Sequence, residues 1–178
     1  MLVLTSAIVL YKNNRHILGH TIDSVLNTKL AIRLFLIDNS PTDLLRDLRI
    51  DPRIVYIHNP RNFGFGAAHN IAIDLSIKSG CKYHFIVNPD IYFNTNVLAP
   101  VLGYMEQDPS IGMMMPEVLN TDGSIQYLPK LLPSPFWILR RKFLKSRKSF
   151  ARFIDKYELR AIPPREIYNA PILSGCFT

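Results

Sequence analysis

In this 178-residue chain, short polar segments follow apolar, β-rich runs. The strongest candidate for a functional site among them is Asn88-Pro89-Asp90, which follows the run from Tyr83 to Val87. A carboxylate held at the end of a buried strand can bind a hard cation such as Mg²⁺ or Mn²⁺. Such a cation completes its coordination shell with water and phosphate oxygens. The same three residues are also typical of a plain turn, so the local pattern leaves both interpretations open.

A second carboxylate, Asp38, follows the apolar run from Ala31 to Ile37 and precedes Asn39-Ser40-Pro41. At the end of a strand, such a carboxylate can accept hydrogen bonds from a base imide or a ribose hydroxyl. It can equally cap the N-terminus of the following helix, and the two roles are compatible.

The third segment, 62–70, carries Gly64 and Gly66 between a predicted strand and a predicted helix. Glycines allow close backbone approach, and a helix N-terminus favours anions. His69 occupies the third glycine position of a dinucleotide fingerprint, and no acidic residue follows the next strand at the expected distance. This pattern argues against a nicotinamide enzyme.

Alternating elements must position these three segments. The spacing of apolar residues predicts strands over 2–11, 31–37, 53–58, 83–87 and 111–119, and helices over 17–26, 42–50, 64–79 and 97–107. Such alternation predicts an α/β fold, with a mostly parallel sheet covered on both faces. Because ligands bind beyond the carboxyl ends of parallel strands, we expect the polar strand ends to gather at one edge.

Composition excludes several classes of protein. The chain is 48% hydrophobic and 20% charged, which is typical of one ordinary domain rather than a disordered chain. No apolar stretch approaches the roughly 20 residues needed to span a bilayer. Two cysteines, Cys81 and Cys176, are too few for a disulfide framework, and neither a nucleophile elbow nor a phosphate-loop lysine motif occurs. A cytoplasmic protein is expected.

The positive charge is concentrated near the C-terminus. Residues 130–165 hold 11 of the 21 Lys and Arg but only two of the 14 acids, which gives this segment a net charge of +9 and leaves −2 elsewhere. Such a patch suggests a local anionic partner. The change in composition predicts an α/β core over 1–128, a basic helical segment over 129–165 and a final segment over 166–178, within one domain. That final segment includes a predicted strand over 168–173.

Four segments, in this order and spacing, resemble the bacterial family 2 glycosyltransferases with the GT-A fold, and most closely their rhamnosyltransferase-like branch. They are 7–11 (AIVLY), 36–40 (LIDNS), 59–70 (NPRNFGFGAAHN) and 85–90 (FIVNPD). The resemblance implies a Rossmann-like sheet of the nucleotide-diphospho-sugar transferase type, cut short on the acceptor side. It also implies transfer of a sugar, with rhamnose as one candidate, from a nucleoside diphosphate to a lipid-linked or polysaccharide acceptor, by an inverting route.

The resemblance also implies roles for residues. Tyr11 would lie near the base, Asp38 would contact the base or ribose, and Asn62 and Gly64 would close over the donor. Asn88-Pro89-Asp90 matches this branch's form of the Asp-x-Asp motif, so Asp90 would bind the Mg²⁺ or Mn²⁺ ion that bridges the diphosphate. Ser174 and Gly175 match the start of the acceptor side.

The chain departs from the family pattern in three ways. Lys12 stands where many relatives have Asn, and Asn88 replaces the first Asp of the commoner motif. The family's general base belongs to an acidic pair beyond the Ser-Gly match, and this chain ends at Thr178. The catalytic base is therefore unassigned, and we expect the chain as given to bind nucleotide without robust sugar transfer.

Two other functions stay open as alternatives. A sugar-phosphate nucleotidyltransferase has a related sheet but would carry a glycine-rich first loop with a basic signature, which 10–18 lacks. A nucleic-acid-binding module could use the basic segment, although its aromatic residues have helical core spacing rather than that of a stacking surface. The basic and aromatic residues of this segment are also typical of a helical region that docks on anionic lipid at the inner face of the cell membrane, and equally of a solvated basic face over a packed apolar stripe. An unpaired sheet edge at 168–173 would favour self-association.

Overall fold

The computed structural model of the protein describes residues 4–135 and 147–178. Four parallel strands form the main sheet, in the order β3-β2-β1-β4: β1 (Leu4–Leu10), β2 (Ile32–Asp38), β3 (Ile54–His58) and β4 (Tyr83–Val87). Helices α1 (Arg15–Leu26) and α2 (Phe65–Lys78) lie between strands in the chain, and α3 (Leu98–Gln107) follows β4. The predicted α/β fold is confirmed. The strand order reverses between β1 and β4, because β1 pairs with β2 on one side and with β4 on the other.

Helix α1 begins where its sequence provides a cap. The side-chain oxygen of Asn14 accepts hydrogen bonds from the backbone N–H groups of His16 and Ile17, which satisfies two donors that a helix start leaves unpaired. The helix buries a face with helical spacing, formed by Leu18, Thr21, Ile22, Val25 and Leu26. Packing of this face therefore fixes α1 against the rest of the core.

Helix α2 packs on the sheet through small residues. Ala68 and Ala72 are fully buried, and they share a core cluster with Ala7, Val9, Phe35 and Ile37 of the two central strands. Alanine side chains let the helix axis approach the strands closely. This packing places the N-terminus of α2 at the carboxyl edge of the sheet, since the helix runs antiparallel to the strands that flank it in sequence.

The last residues of the chain extend the sheet beside β4. Phe177 forms an antiparallel bridge with Val87, and Thr178 donates to the Ile86 carbonyl at 3.0 Å. The Phe177 side chain is buried, and its ring centroid lies 4.8 Å from that of Phe93 and 6.0 Å from that of Phe85. The edge of β4 is therefore paired along its carboxyl half.

The chain divides into two compact units, of which the first comprises residues 1–114 and 175–178 and the second residues 115–174. The second unit contains a short antiparallel pair, β5 (Val118–Leu119) with β6 (Ile125–Gln126), and helix α4 (Arg147–Tyr157). Lys130 joins its parts, because its ammonium donates to Glu158 at 2.9 Å and its backbone pairs with Ile172. The predicted boundaries at 128 and 165 remain predictions.

Three predicted elements differ from the structure. The strand expected over 111–119 is formed only at Val118–Leu119, and the strand expected over 168–173 is reduced to the single bridge at Ile172. Pro116 and Pro171 lie in these segments, and proline cannot donate to a strand ladder. The helix expected over 42–50 is a short 3-10 helix, Arg46–Ile50.

The other predicted elements lie within a few residues of their observed bounds. Part of the predicted basic helical segment, 136–146, lies outside the described residues. Within the described ranges, no helix is both long and apolar enough to cross a membrane.

A polar cluster is buried between α2 and the strands β1 and β4. The Thr5 hydroxyl lies 2.6 Å from that of Ser76 and 2.7 Å from Nδ1 of His84. His69 is 2% exposed, and neither of its ring nitrogens has a hydrogen-bond partner among the described residues. Burial lowers the pKa of both histidines to about 4, and for His69 the neighbouring His84 adds to the effect. Both rings are therefore neutral at pH 7.

We expect Phe177→Ala to lower the free energy of unfolding by about 3–5 kcal/mol, because it removes a buried ring from between two others. Urea denaturation followed by circular dichroism measures the change. Leu44→Ala is the matched control, since Leu44 is 79% exposed and its truncation should change stability by less than about 0.5 kcal/mol. Equal midpoints for the two variants would contradict the pairing of the last residues with β4.

Stability should also fall as the pH drops from about 6.5 to about 4. In this window the unfolded chain protonates His69 and His84 while the folded chain keeps them neutral, so the unfolded state binds more protons. Above pH 6.5 this contribution is fully present, and below pH 4 it is lost.

The double variant His69→Leu/His84→Leu should flatten the dependence of the unfolding free energy on pH across this window, by an amount on the order of a few kcal/mol. Replacement of the exposed, non-titrating Leu44 by Ala serves as the control and should leave the slope unchanged. An unaltered slope in the double variant would show that other groups carry the dependence.

Candidate functional site

The carboxyl ends of the four strands lie along one edge of the sheet. Leu10 is level with Asp38, and Asp38 is level with His58, while Val87 of β4 is level with Ile8. The polar residues that follow each strand therefore leave the sheet on the same side, as expected from a parallel arrangement. Residues 88–90 leave the sheet next to Tyr11 and Lys12, at the point where the strand order reverses.

Asp38 lies inside this edge rather than on it. Its side chain is fully buried, with one carboxylate oxygen accepting from the Ser40 N–H at 2.8 Å and the other from the Tyr56 hydroxyl at 2.6 Å. Burial raises the pKa of Tyr56 above its usual range, and the adjacent Asp38 carboxylate adds to the shift. Tyr56 therefore stays a hydrogen-bond donor at neutral pH. Both partners orient Asp38 at the ends of β2 and β3.

Ser40 extends this connection to the neighbouring strands. Its hydroxyl accepts from the Lys12 N–H at 2.8 Å, and its carbonyl oxygen lies 2.9 Å from Nε2 of His58. The ends of β1, β2 and β3 are thus tied to one residue, and that residue is itself fixed by Asp38.

Buried amides connect the same edge to the loop before α2. The Asn59 amide donates to the Asn39 side chain at 2.7 Å, and Asn39 in turn donates to Asn62 Oδ1 and to the Gly64 carbonyl, each at 3.3 Å. Asn62 Oδ1 also accepts from the Gly64 N–H at 2.8 Å. Gly64 has a φ of 85°, in the left-handed region that favours glycine. These bonds fix the shape of the loop.

The end of β1 carries two exposed side chains. Tyr11 is 47% exposed, and its backbone N–H donates to Asn13 Oδ1 at 2.7 Å. Lys12 has a φ of 55°, which is uncommon for a residue other than glycine. Its ammonium lies 5.4 Å from the centroid of the Tyr11 ring.

The turn at Asn88-Pro89-Asp90 is held from two sides. The buried Thr21 hydroxyl of α1 donates to the Pro89 carbonyl at 2.9 Å, and the Asn88 N–H donates to the Cys176 carbonyl at 2.8 Å. The Ile91 N–H closes the turn by donating to the Asn88 carbonyl at 3.2 Å. Asp90 projects from this fixed backbone as an exposed residue.

The residues present fit a cation that takes few protein ligands. Among residues 4–135 and 147–178, no group of three or more His, Cys, Asp and Glu side chains could hold a metal ion. At this edge of the sheet, Asp90 offers an exposed carboxylate on a fixed turn, and none of the described residues forms an ion pair with it. Such a carboxylate suits Mg²⁺ or Mn²⁺ that keeps water and phosphate oxygens in its remaining positions.

The residues predicted for the acceptor side fall into different units. Gly175 belongs to the first unit, and a side chain added there would lie 3.5 Å from the Phe65 ring of α2. Ser174 belongs to the second unit. Two acidic side chains of the described residues are already paired, because Glu106 binds Lys82 and Tyr83, and Glu158 binds Lys130 and Arg160.

Two supporting residues, Asn39 and Asn59, come directly after strands and belong to the polar strand ends expected at this edge, although the sequence indicates no role for their side chains. Tyr56, which orients Asp38, is not among the residues predicted from the sequence. Tyr56 lies within a strand, and only the register of β2 with β3 brings its hydroxyl to Asp38.

The family described as "Glycosyl transferase family 2" matches residues 6–159. A search of curated protein sequences found no significant match.

Two solved structures share the fold at low sequence identity. A mannosyltransferase from Pyrobaculum calidifontis, solved in complex with GDP-Man and Mn²⁺, has a TM-score of 0.50 and 16% identity over 61% of this chain. TarS from S. aureus has a TM-score of 0.51 and 13% identity over 82% of this chain. The chain spans 33% and 43% of the lengths of these two proteins. On the family match, which covers most of its length, this chain belongs to glycosyl transferase family 2.

Proposed function

We propose that this chain forms the donor-binding part of a glycosyltransferase that transfers a sugar from a nucleoside diphosphate to an acceptor hydroxyl. The proposal rests chiefly on the turn at residues 88–90, which is held rigidly next to the end of β1 where the strand order reverses. In open parallel sheets, this crevice is where nucleotides bind. Membership of family 2 supports the same reaction class.

The nucleoside would lie over the ends of β1 and β2. Tyr11 offers an exposed ring for contact with the base. The fully buried Asp38 would contact the base or ribose after movement of Ser40 or Tyr56 opens its carboxylate to the crevice. Each Asp38 oxygen already accepts one hydrogen bond, and a carboxylate oxygen can accept a second. Asn62 and Gly64 would close over the donor, in a loop that the buried Asn39 and Asn59 hold in place.

Asp90 would hold a divalent cation against the donor diphosphate, with Asn88 at the first position of the motif. When bound, the cation would act as a Lewis acid that stabilises negative charge on the diphosphate. The fixed turn lets Asp90 present its carboxylate without reorganisation, because Thr21 and Cys176 hold the backbone on either side.

The proposed sugar, acceptor and stereochemistry follow the resemblance to the rhamnosyltransferase-like branch of the family 2 glycosyltransferases. Rhamnose is one candidate sugar, and a polysaccharide or a lipid-linked saccharide is the proposed acceptor, with Ser174 and Gly175 at the start of the acceptor side. In an inverting reaction, a carboxylate removes the proton of the acceptor hydroxyl, and losing such a base costs roughly 10²–10⁴-fold in rate. We assign that role to no residue of this chain.

The basic segment at 130–165 is proposed to contact anionic lipid at the inner face of the cell membrane. On the described part of helix α4, Arg152 and Lys156 are exposed, whereas Phe153, Ile154 and Tyr157 are partly buried. Exposed basic residues attract the anionic surface of a membrane electrostatically, so Arg152 and Lys156 support docking on lipid headgroups.

Asp90→Asn should abolish the increase in nucleotide affinity that Mn²⁺ produces, because it removes the only proposed protein carboxylate of the cation. Titration calorimetry with UDP, GDP, ADP, CDP and dTDP, with Mn²⁺ or with EDTA, measures this increase. We expect the wild-type gain to be about tenfold or more, as is usual for charge-assisted contacts.

Asp74→Asn is the matched control for this titration. Asp74 is exposed on α2 and is not part of the proposed site, so the control should keep the full gain in affinity. A gain in Asp90→Asn equal to that of the wild type would remove Asp90 from the metal site.

Vesicle flotation tests the membrane proposal. We expect the protein to float with vesicles that contain anionic phosphatidylglycerol but not with neutral phosphatidylcholine vesicles. Arg152→Gln/Lys156→Gln should weaken the interaction, since each basic residue near such a surface contributes about 1 kcal/mol. Lys29→Gln/Lys78→Gln, which removes the same charge from the other unit, is the control. Equal recovery with both vesicle types would rule out lipid docking.

A further inference from the structure

Lys12 follows the end of β1 beside the crevice between β1 and β4. It follows β1 by two residues, and β4 pairs directly with β1 up to Val87. The Lys12 backbone is anchored by its N–H, which donates to Ser40 Oγ at 2.8 Å. Its side chain is exposed, with the ammonium near the face of the Tyr11 ring.

The backbone conformation of Lys12 gives no reason for a lysine there. A φ of 55° belongs to the left-handed region, which asparagine and glycine enter more readily than lysine does. This conformation turns the chain sharply after Tyr11, so that the ammonium folds back over the ring of the preceding residue. The backbone of this long cationic residue is therefore fixed at the carboxyl edge of the sheet.

The charge of Lys12 is available for a ligand. Among the described residues, no carboxylate forms an ion pair with it, whereas nearby Arg15 is paired with Asp47. The site otherwise offers one exposed carboxylate, Asp90, because Asn88 is neutral. A cation held by a single carboxylate leaves much of the charge of a diphosphate without a protein partner.

We propose that Lys12 binds the diphosphate of the donor directly and supplies positive charge that does not depend on the metal. This inference rests on the proposed function and deepens it, since it concerns the same crevice. If the flexible Lys12 side chain moves away from Tyr11, its ammonium can donate hydrogen bonds to the phosphate oxygens. The face of the Tyr11 ring is then open for contact with the base. A lysine binds phosphate as a mobile point charge with three donors, which suits this position.

The experiment measures the binding of inorganic pyrophosphate and of the nucleoside diphosphates UDP, GDP, ADP, CDP and dTDP by titration calorimetry in EDTA. Lys12→Asn removes the charge but suits the left-handed backbone, so the variant should fold at least as well as the wild type. Lys12→Arg keeps the charge. The matched control is Lys29→Asn. Lys29 is exposed, precedes β2 and lies at the opposite edge of the sheet.

We expect Lys12→Asn to weaken pyrophosphate and nucleoside diphosphate binding by roughly 10- to 100-fold, as for the loss of a charge-assisted hydrogen bond. Lys12→Arg should retain most of the affinity, and Lys29→Asn should match the wild type. The same Lys12→Asn protein should still gain affinity on addition of Mn²⁺, because Asp90 is intact.

Unchanged affinity of Lys12→Asn in EDTA would overturn the proposal while leaving nucleotide binding itself in place. Pyrophosphate binding that depends on Lys12, with no preference for any nucleoside diphosphate, would support the role of Lys12 and count against the proposed function. If the wild type binds neither pyrophosphate nor a nucleoside diphosphate under any condition, both proposals are wrong.

Discussion

The carboxylate of Asp38 is buried among the strand ends and accepts hydrogen bonds on both oxygens, and the arrangement of the carboxyl edge depends on it. Through Tyr56 it fixes the end of β3, and through Ser40 it reaches Lys12 and His58. A charge withdrawn from water is costly unless it is fully hydrogen-bonded, so the carboxylate tolerates few other arrangements of its neighbours. That requirement makes the edge rigid before any ligand arrives.

A second network of buried, hydrogen-bonded polar side chains stabilises the loop before α2. Asn39 and Asn59 are buried amides that bond each other and reach Asn62 and Gly64. Because buried amides specify direction as well as contact, they select one loop shape. The proposed donor site thus combines a rigid floor with a few exposed groups, Tyr11, Lys12 and Asp90, that are free to meet a ligand.

Much of the fold could be predicted from the sequence because its core obeys simple periodicities. Ala68 and Ala72 on α2, and the buried faces of β1 and β2, follow the spacings of helix and strand, and these elements lie within a few residues of their predicted bounds. Position at a strand end also brought Asp38 and Asp90 forward as candidates. Their proposed roles toward a ligand remain predictions.

The failures have two physical causes, one non-local and one local. Tyr56 meets Asp38 only through the register of two strands, and Phe177 pairs with Val87 across a long separation in sequence, so neither contact is visible in a local pattern. The strands predicted over 111–119 and 168–173 are apolar enough for a sheet, but Pro116 and Pro171 lack the N–H donors that a strand ladder needs. Local sequence patterns indicate which secondary structure a segment favours, whereas pairing with distant strands determines whether that structure forms.

The bridge between Val87 and Phe177 also bears on how the protein is made. The Asn88 N–H finds its partner, the Cys176 carbonyl, only after the intervening residues have been synthesised. At roughly 5–20 residues per second, the ribosome needs several seconds to produce that stretch. During this interval the nascent β4 lacks its neighbour, and contacts between distant residues are the slowest to form. The turn that carries Asp90 therefore reaches its final structure late, after residues 176–178 have left the ribosome and paired with β4.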